Sequence, residues 1–151
     1  MNIKPFGEAA ARQAFETALR EQRPDFEVFF LCRFYGLEFT YAGETCRIRF
    51  SVHDFMLNPQ GSLHGGVTAF VLDVCMGHLL RHTLGSPGTT MEMKTQYFAP
   101  VRGPEACSEA RFLHRGKNVC FLEARLFDAD GTLAAAATST WRVLKPRGPD
   151  A

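Results

Sequence analysis

The chain has 151 residues, of which 46% are hydrophobic and 22% charged, and its formal net charge is +1. That length suits one domain able to bury its own core, and the composition excludes a disordered or fibrous chain. Scattered arginines offer nucleic acid no basic face, and no run of about 18 apolar residues is present to span a membrane.

Over residues 6–23, Ala10, Ala14 and Ala18 recur at helical spacing beside Phe15 and Leu19, and Pro24 marks the stop. The charges in this stretch interrupt any signal-peptide apolar region, so a cytoplasmic protein is expected. The next segment, DFEVFFLCRF, suits a short helix or a strand equally. Residues 37–42 and 45–52 read as two strands around a Gly43-Glu44 turn, because Cys46, Ile48, Phe50 and Val52 alternate with polar residues. A loop dense in turn formers, HDFMLNPQGSLHGG, leads into residues 67–82, which are apolar around nearly the whole helical circumference. A helix of that kind is normally enclosed by the rest of its protein.

Four strand-like segments follow without another helix, at about 89–99, 105–113, 119–128 and 132–143. Gly103-Pro104, Arg115-Gly116-Lys117 and Asp130-Gly131 separate them. The last contains LAAAATSTWRVL, whose alanines also suit a helix. Strands on both sides of one central helix point to an α+β fold, an antiparallel sheet wrapped over that helix. The expected organisation is a helical segment 1–36 packed on a domain 37–144, with a frayed tail 145–151.

Asp73 stands out. It lies within the apolar helix, where aspartate has poor propensity and an unpaired buried charge is costly. Either it turns to solvent or pairs with an arginine, or a site uses it. Upstream, His64-Gly65-Gly66 opens the same helix, where first-turn N–H groups lack partners at the positive end of the macrodipole. Glycine there lets a substrate approach the backbone, which suits an oxyanion site for an ester or thioester carbonyl. Alone, the tripeptide is equally a flexible junction.

The remaining candidates add little. Cys32, Cys46, Cys75, Cys107 and Cys120 are odd in number and contain no C-x-x-C pair, which suits reduced, buried thiols. Cys75 lies two positions from Asp73, on a different side of the helix, and reads as structural rather than nucleophilic. His78 and His82 have the spacing of a helical metal pair but lack the H-E-x-x-H glutamate and a third ligand, so no metal is expected.

The run NPQGSLHGGVTAFVLD, from Asn58 to Asp73, resembles the signature of the PaaI-like branch of hotdog-fold acyl-CoA thioesterases. GSPGTTMEMKTQYFAP, residues 85–100, resembles the strand that follows the central helix in that family. With the strand order, the resemblance covers about residues 37–144. It implies a hotdog fold with an extra N-terminal helix, and a homodimer or homotetramer whose active sites lie at the dimer interface. It implies an acyl-CoA substrate hydrolysed to acid and coenzyme A, with no metal or redox cofactor.

By the same resemblance, the Gly65 N–H polarises the thioester carbonyl and Asp73 is general base or nucleophile. Asn58 and His64 place the thioester, and Thr90 assists the water, with Thr89 not separable from it. Gly66 joins the substrate-binding residues, and the turn Arg115-Gly116-Lys117-Asn118 is where relatives commonly hold coenzyme A phosphates, although a solvated hairpin explains its charges equally well. Gly65 and Asp73 are eight positions apart, about 12 Å along one helix. Both must lie within about 3 Å of the reacting centre, so a second copy is expected to complete each site. The main alternative is a non-catalytic acyl-CoA-binding or regulatory protein on the same fold; a hydratase is a lesser one.

Overall fold

The computed structural model describes residues 7–145. Helix α1 (Glu8–Glu21) ends three residues before Pro24, and a second, short helix α2 (Phe30–Phe34) follows a turn. The segment that suited helix and strand equally is therefore a turn and then a helix. The predicted helix start at Phe6 and the tail beyond Lys145 lie outside the described residues. Strands β1 (Glu38–Ala42) and β2 (Thr45–Ser51) form a hairpin around Gly43, whose φ of +56° is one that glycine adopts without strain.

The long helix α3 (Gly65–Leu84) precedes β3 (Gly88–Tyr97), β4 (Glu105–Arg115), β5 (Val119–Asp128) and β6 (Leu133–Val143). All six strands join one antiparallel sheet in the order β1-β2-β4-β5-β6-β3. The sheet curves over α3, which packs against β2 to β6. Period-two alternation turns Cys46, Ile48 and Phe50 of β2 and Cys120, Leu122, Ala124 and Leu126 of β5 inward. On α3, Val71, Leu72, Met76, Leu79 and Leu80 meet them. Each of the valine, leucine, isoleucine, phenylalanine and methionine side chains among them contributes about 1.5–3 kcal/mol by leaving water.

The alanine-rich β6 is a strand despite its helix propensity, because β5 and β3 pair with it on either side. Gly85, in the left-handed region at φ +66°, caps the C-terminus of α3. Among the described residues, no helix is long and apolar enough to cross a membrane.

Helix α3 approaches β6 closely where Gly77 faces Trp141. A Cβ on Gly77 would stand 2.9 Å from the Trp141 ring. Gly77→Ala should therefore overpack the core and lower unfolding free energy by about 1–3 kcal/mol, read from the denaturant midpoint. An unchanged midpoint would show that Trp141 has room to move.

Candidate functional site

The loop before α3 is organised by Asn58. Its Oδ1 accepts from the N–H groups of Gln60 (3.0 Å) and Ser62 (3.2 Å), and its Nδ2 donates to Ser62 Oγ (3.0 Å). The Leu63 N–H donates to the Val101 carbonyl and the His64 N–H to the Met56 carbonyl, both at 2.9 Å. The chain thus reaches the helix start with its direction fixed. There His64 is the N-cap, and its Nδ1 accepts from the Gly66 N–H at 2.9 Å. A ring that accepts at Nδ1 carries its proton on Nε2.

Gly66, expected to meet substrate, gives its N–H to this cap. A Cβ there would lie 3.0 Å from His64 Nδ1, so a larger residue would press on the cap. Gly65 differs. A Cβ on it would meet only the Tyr97 ring, at an ordinary 3.5 Å, so packing does not demand glycine at this position. Its carbonyl accepts from the Tyr97 hydroxyl at 2.9 Å. Its N–H has no hydrogen-bond partner among the described residues. Beside it opens a cleft of about 370 Å³, lined by Asn58, Gly65, Thr68, Tyr97, Val101 and Ala135 among others.

Asp73 projects from the middle of α3 and is half-buried. Thr90 Oγ1 of β3 donates to its Oδ1 at 2.8 Å, which separates Thr90 from the neighbouring Thr89. Burial raises the Asp73 pKa above the usual carboxylate value, and the Thr90 hydrogen bond partly opposes that rise. No nearby cation contributes to the shift. Among the described residues Asp73 therefore has no ion-pair partner, yet it is not fully turned to solvent. A β-bulge between Thr90 and Glu92 leaves Met91 unpaired and changes the phase of β3 just after the threonine.

One chain thus gathers two groups of residues without joining them. Asn58, His64, Gly65 and Gly66 stand at the start of α3, and Asp73 with Thr90 stands about 12 Å along it, by the helical rise. Arg115 lies opposite Cys120, Cys120 opposite Trp141, and Trp141 opposite Thr90, so the turn after β4 sits at the Thr90 end of the sheet. In that turn Arg115 forms an ion pair with Glu44, while Lys117 and Asn118 are exposed.

Tyr97 escaped the sequence reading. It lies within the family-like run 85–100, but nothing there singles it out, and its partner is a backbone carbonyl 32 residues away. Burial pushes the Cys32 thiol up to about 12, and that of the fully buried Cys75 upward too, so neither is a ready nucleophile. His78 bonds to the Tyr41 hydroxyl at 3.0 Å and stacks on Phe39, while His82 stacks on Tyr41.

Residues 60–135 match the thioesterase superfamily. The chain belongs to that family. The match includes His64, Gly65, Asp73 and Thr90 but begins after Asn58. Over 86 residues the chain is 34% identical to human acyl-coenzyme A thioesterase 13, covering 55% of this chain and 61% of that protein. Over 121 residues it is 28% identical to the medium/long-chain acyl-CoA thioesterase YigI of Escherichia coli, covering 68% and 77%. The fold is the hotdog fold. It superposes on the BH2602 protein of Bacillus halodurans, solved with CoA, with a TM-score of 0.79 at 25% identity over 92% and 91% of the two chains.

The opposing influences on Asp73 can be separated. Thr90→Val removes the hydrogen bond that favours the carboxylate and leaves desolvation alone. The midpoint of the Asp73 carboxyl resonance in a ¹³C NMR titration should move to higher pH. A midpoint that stays or falls would mean that Thr90 does not stabilise the charge.

Proposed function

We propose that this thioesterase-superfamily protein hydrolyses acyl-CoA at a site completed by two copies of the chain. The unpaired Gly65 N–H and the Asp73–Thr90 pair lie on one helix but too far apart to act on one carbonyl. That separation carries the reading. A route to joining them lies in β3, a ten-residue strand at the sheet edge, with Met91 and Tyr97 61% and 55% exposed. An edge of that length is a template for pairing. Antiparallel pairing of two β3 strands about a twofold axis between Met93 and Lys94 would set Thr90 of one copy beside Tyr97 of the other. Asp73 would then approach the opposite copy's Gly65.

In that arrangement the thioester oxygen points at the Gly65 N–H. Asp73 removes a proton from water, and the water oxygen bonds to the carbonyl carbon. The Gly65 N–H stabilises the negative oxygen that forms. Collapse breaks the carbon–sulfur bond, and the protonated Asp73 returns its proton to the leaving thiolate. A carboxylate with a raised pKa suits both transfers. Direct attack by Asp73, giving an acyl anhydride that water then opens, uses the same residues. Asn58 and His64 act by shaping the donor loop. Lys117 and Asn118, with Arg115 where it leaves Glu44, are assigned to the coenzyme A phosphates. The chemistry needs no cofactor besides the coenzyme A of the substrate.

Asp73→Asn keeps size and polarity but removes the base, so kcat should fall by about 10² or more. The folded-state pKa of Asp73 is raised, so its charge costs stability as pH rises through that value. The variant should therefore match or exceed the wild-type melting temperature at neutral pH. A destabilised variant with full turnover would make Asp73 structural, and full binding with unchanged negligible turnover would favour an acyl-CoA-binding protein.

Sharing can be tested by complementation. Gly65→Pro deletes the N–H at the first helical position, where proline is well tolerated, after a residue already extended at φ −62°, ψ 134°. Each variant alone should be inactive. Co-expressed with Asp73→Asn chains, it should recover about a quarter of wild-type turnover, half of the dimers being mixed and one of their two sites whole. No recovery from mixed dimers would sink the shared site.

A further inference from the structure

Two consecutive peptide units form the start of α3, and their four polar ends have different fates. In the unit joining His64 to Gly65, the carbonyl accepts from the Thr68 N–H at 3.1 Å. In the unit joining Gly65 to Gly66, the N–H donates to His64 Nδ1 and the carbonyl accepts from the Tyr97 hydroxyl, each at 2.9 Å. The fourth end, the Gly65 N–H, has no partner among the described residues, and Gly65 lines the cleft.

We propose that Tyr97 is a positioning residue: its hydroxyl and the His64 ring grip opposite ends of the Gly65–Gly66 peptide and thereby fix the aim of the Gly65 N–H. The proposal rests on Gly65 being the oxyanion donor. A Gly-Gly pair has more backbone freedom than any other dipeptide, and a helix's first turn is where fraying begins. The donor therefore sits where the chain would otherwise be loosest. The His64 cap comes from the same turn and moves with it. Tyr97 comes from β3, which is hydrogen-bonded along its length to β6, and so refers the turn to the sheet. Its ring also lies against Gly65, 3.5 Å from the place of a Cβ, limiting rotation on that side.

The same strand carries Thr90, which holds Asp73. One strand thus orients the donor with one end and the base with the other. The Tyr97 hydroxyl touches neither water nor thioester in this scheme, so its loss acts through geometry.

Tyr97→Phe tests this while keeping the ring. The phenylalanine ring keeps the packing against Gly65 and the Gly65 carbonyl keeps its place in the helix, so the melting temperature should hold. Backbone ¹⁵N relaxation should show lower order at Gly65 and Gly66, and the Gly66 amide should exchange faster. With acyl-CoA, kcat should fall by about tenfold with KM nearly constant, since a misplacement of about 1 Å can cost about 10²-fold. Unchanged glycine order and exchange would overturn the clamp whatever the activity. A raised KM at constant kcat would overturn it by making Tyr97 a substrate contact. Loosened glycines with normal turnover, in a protein that Gly65→Pro inactivates, would show that the clamp does not aim the donor. If Gly65→Pro itself keeps full turnover, the reading of Gly65 as donor fails instead, and the catalytic role of Tyr97 fails with it.

Discussion

Helix α3 has to be hidden from water, and the rest of the fold is arranged around that need. Of its 20 residues, 11 are buried, and they point in every direction around the axis. A helix like this is unstable on a surface. One six-stranded sheet can curve over it but cannot close around it, so a flank and the N-terminal end stay accessible. Those two openings hold the candidate site. Asp73 occupies the flank, where partial burial raises its pKa without removing it from water altogether. Gly65 occupies the end, where an N–H is left over by the geometry of any helix.

Strand β3 connects these openings. As an edge strand it pairs on one side only, with β6, yet it supplies Thr90 to the aspartate and Tyr97 to the glycine carbonyl. The bulge at Met91 lies between these two contacts. Side chains on a strand alternate with period two, so one extra residue changes which positions face the helix on either side of it.

Much of the fold was legible because its signals are local. The alternation in β2 and the all-round apolar helix needed no tertiary knowledge, and Asp73 was conspicuous as a charge among apolar neighbours. The family resemblance supplied the hotdog topology and the roles. Features created by distant partners were not legible. Strand β6 was legible as a strand despite its helix-favouring alanines, but what holds it there, pairing with β5 and β3, was not. Gly66 belongs to the His64 cap, a matter of side-chain rotamer rather than residue type. The pairing of Arg115 with Glu44 joins two hairpin turns 71 residues apart, and nothing near either residue announces it.

The strand order also says something about how the chain is made. Strand β3 follows α3 directly, yet its sole partner in the sheet is β6, in which Tyr97 lies opposite Ala135 and Gly88 opposite Val143. During synthesis β3 therefore emerges without a neighbour and waits for the last strand to arrive, a loop closure of the kind that slows folding. The apolar helix likewise leaves the ribosome with only the preceding helical segment and the β1–β2 hairpin to cover it. The Thr90–Asp73 contact, though its residues are close in sequence, is then among the last parts of the domain to become permanent. A nascent chain halted before β6 would hold Gly65, Asp73 and Thr90 but lack the strand that fixes β3 in the sheet.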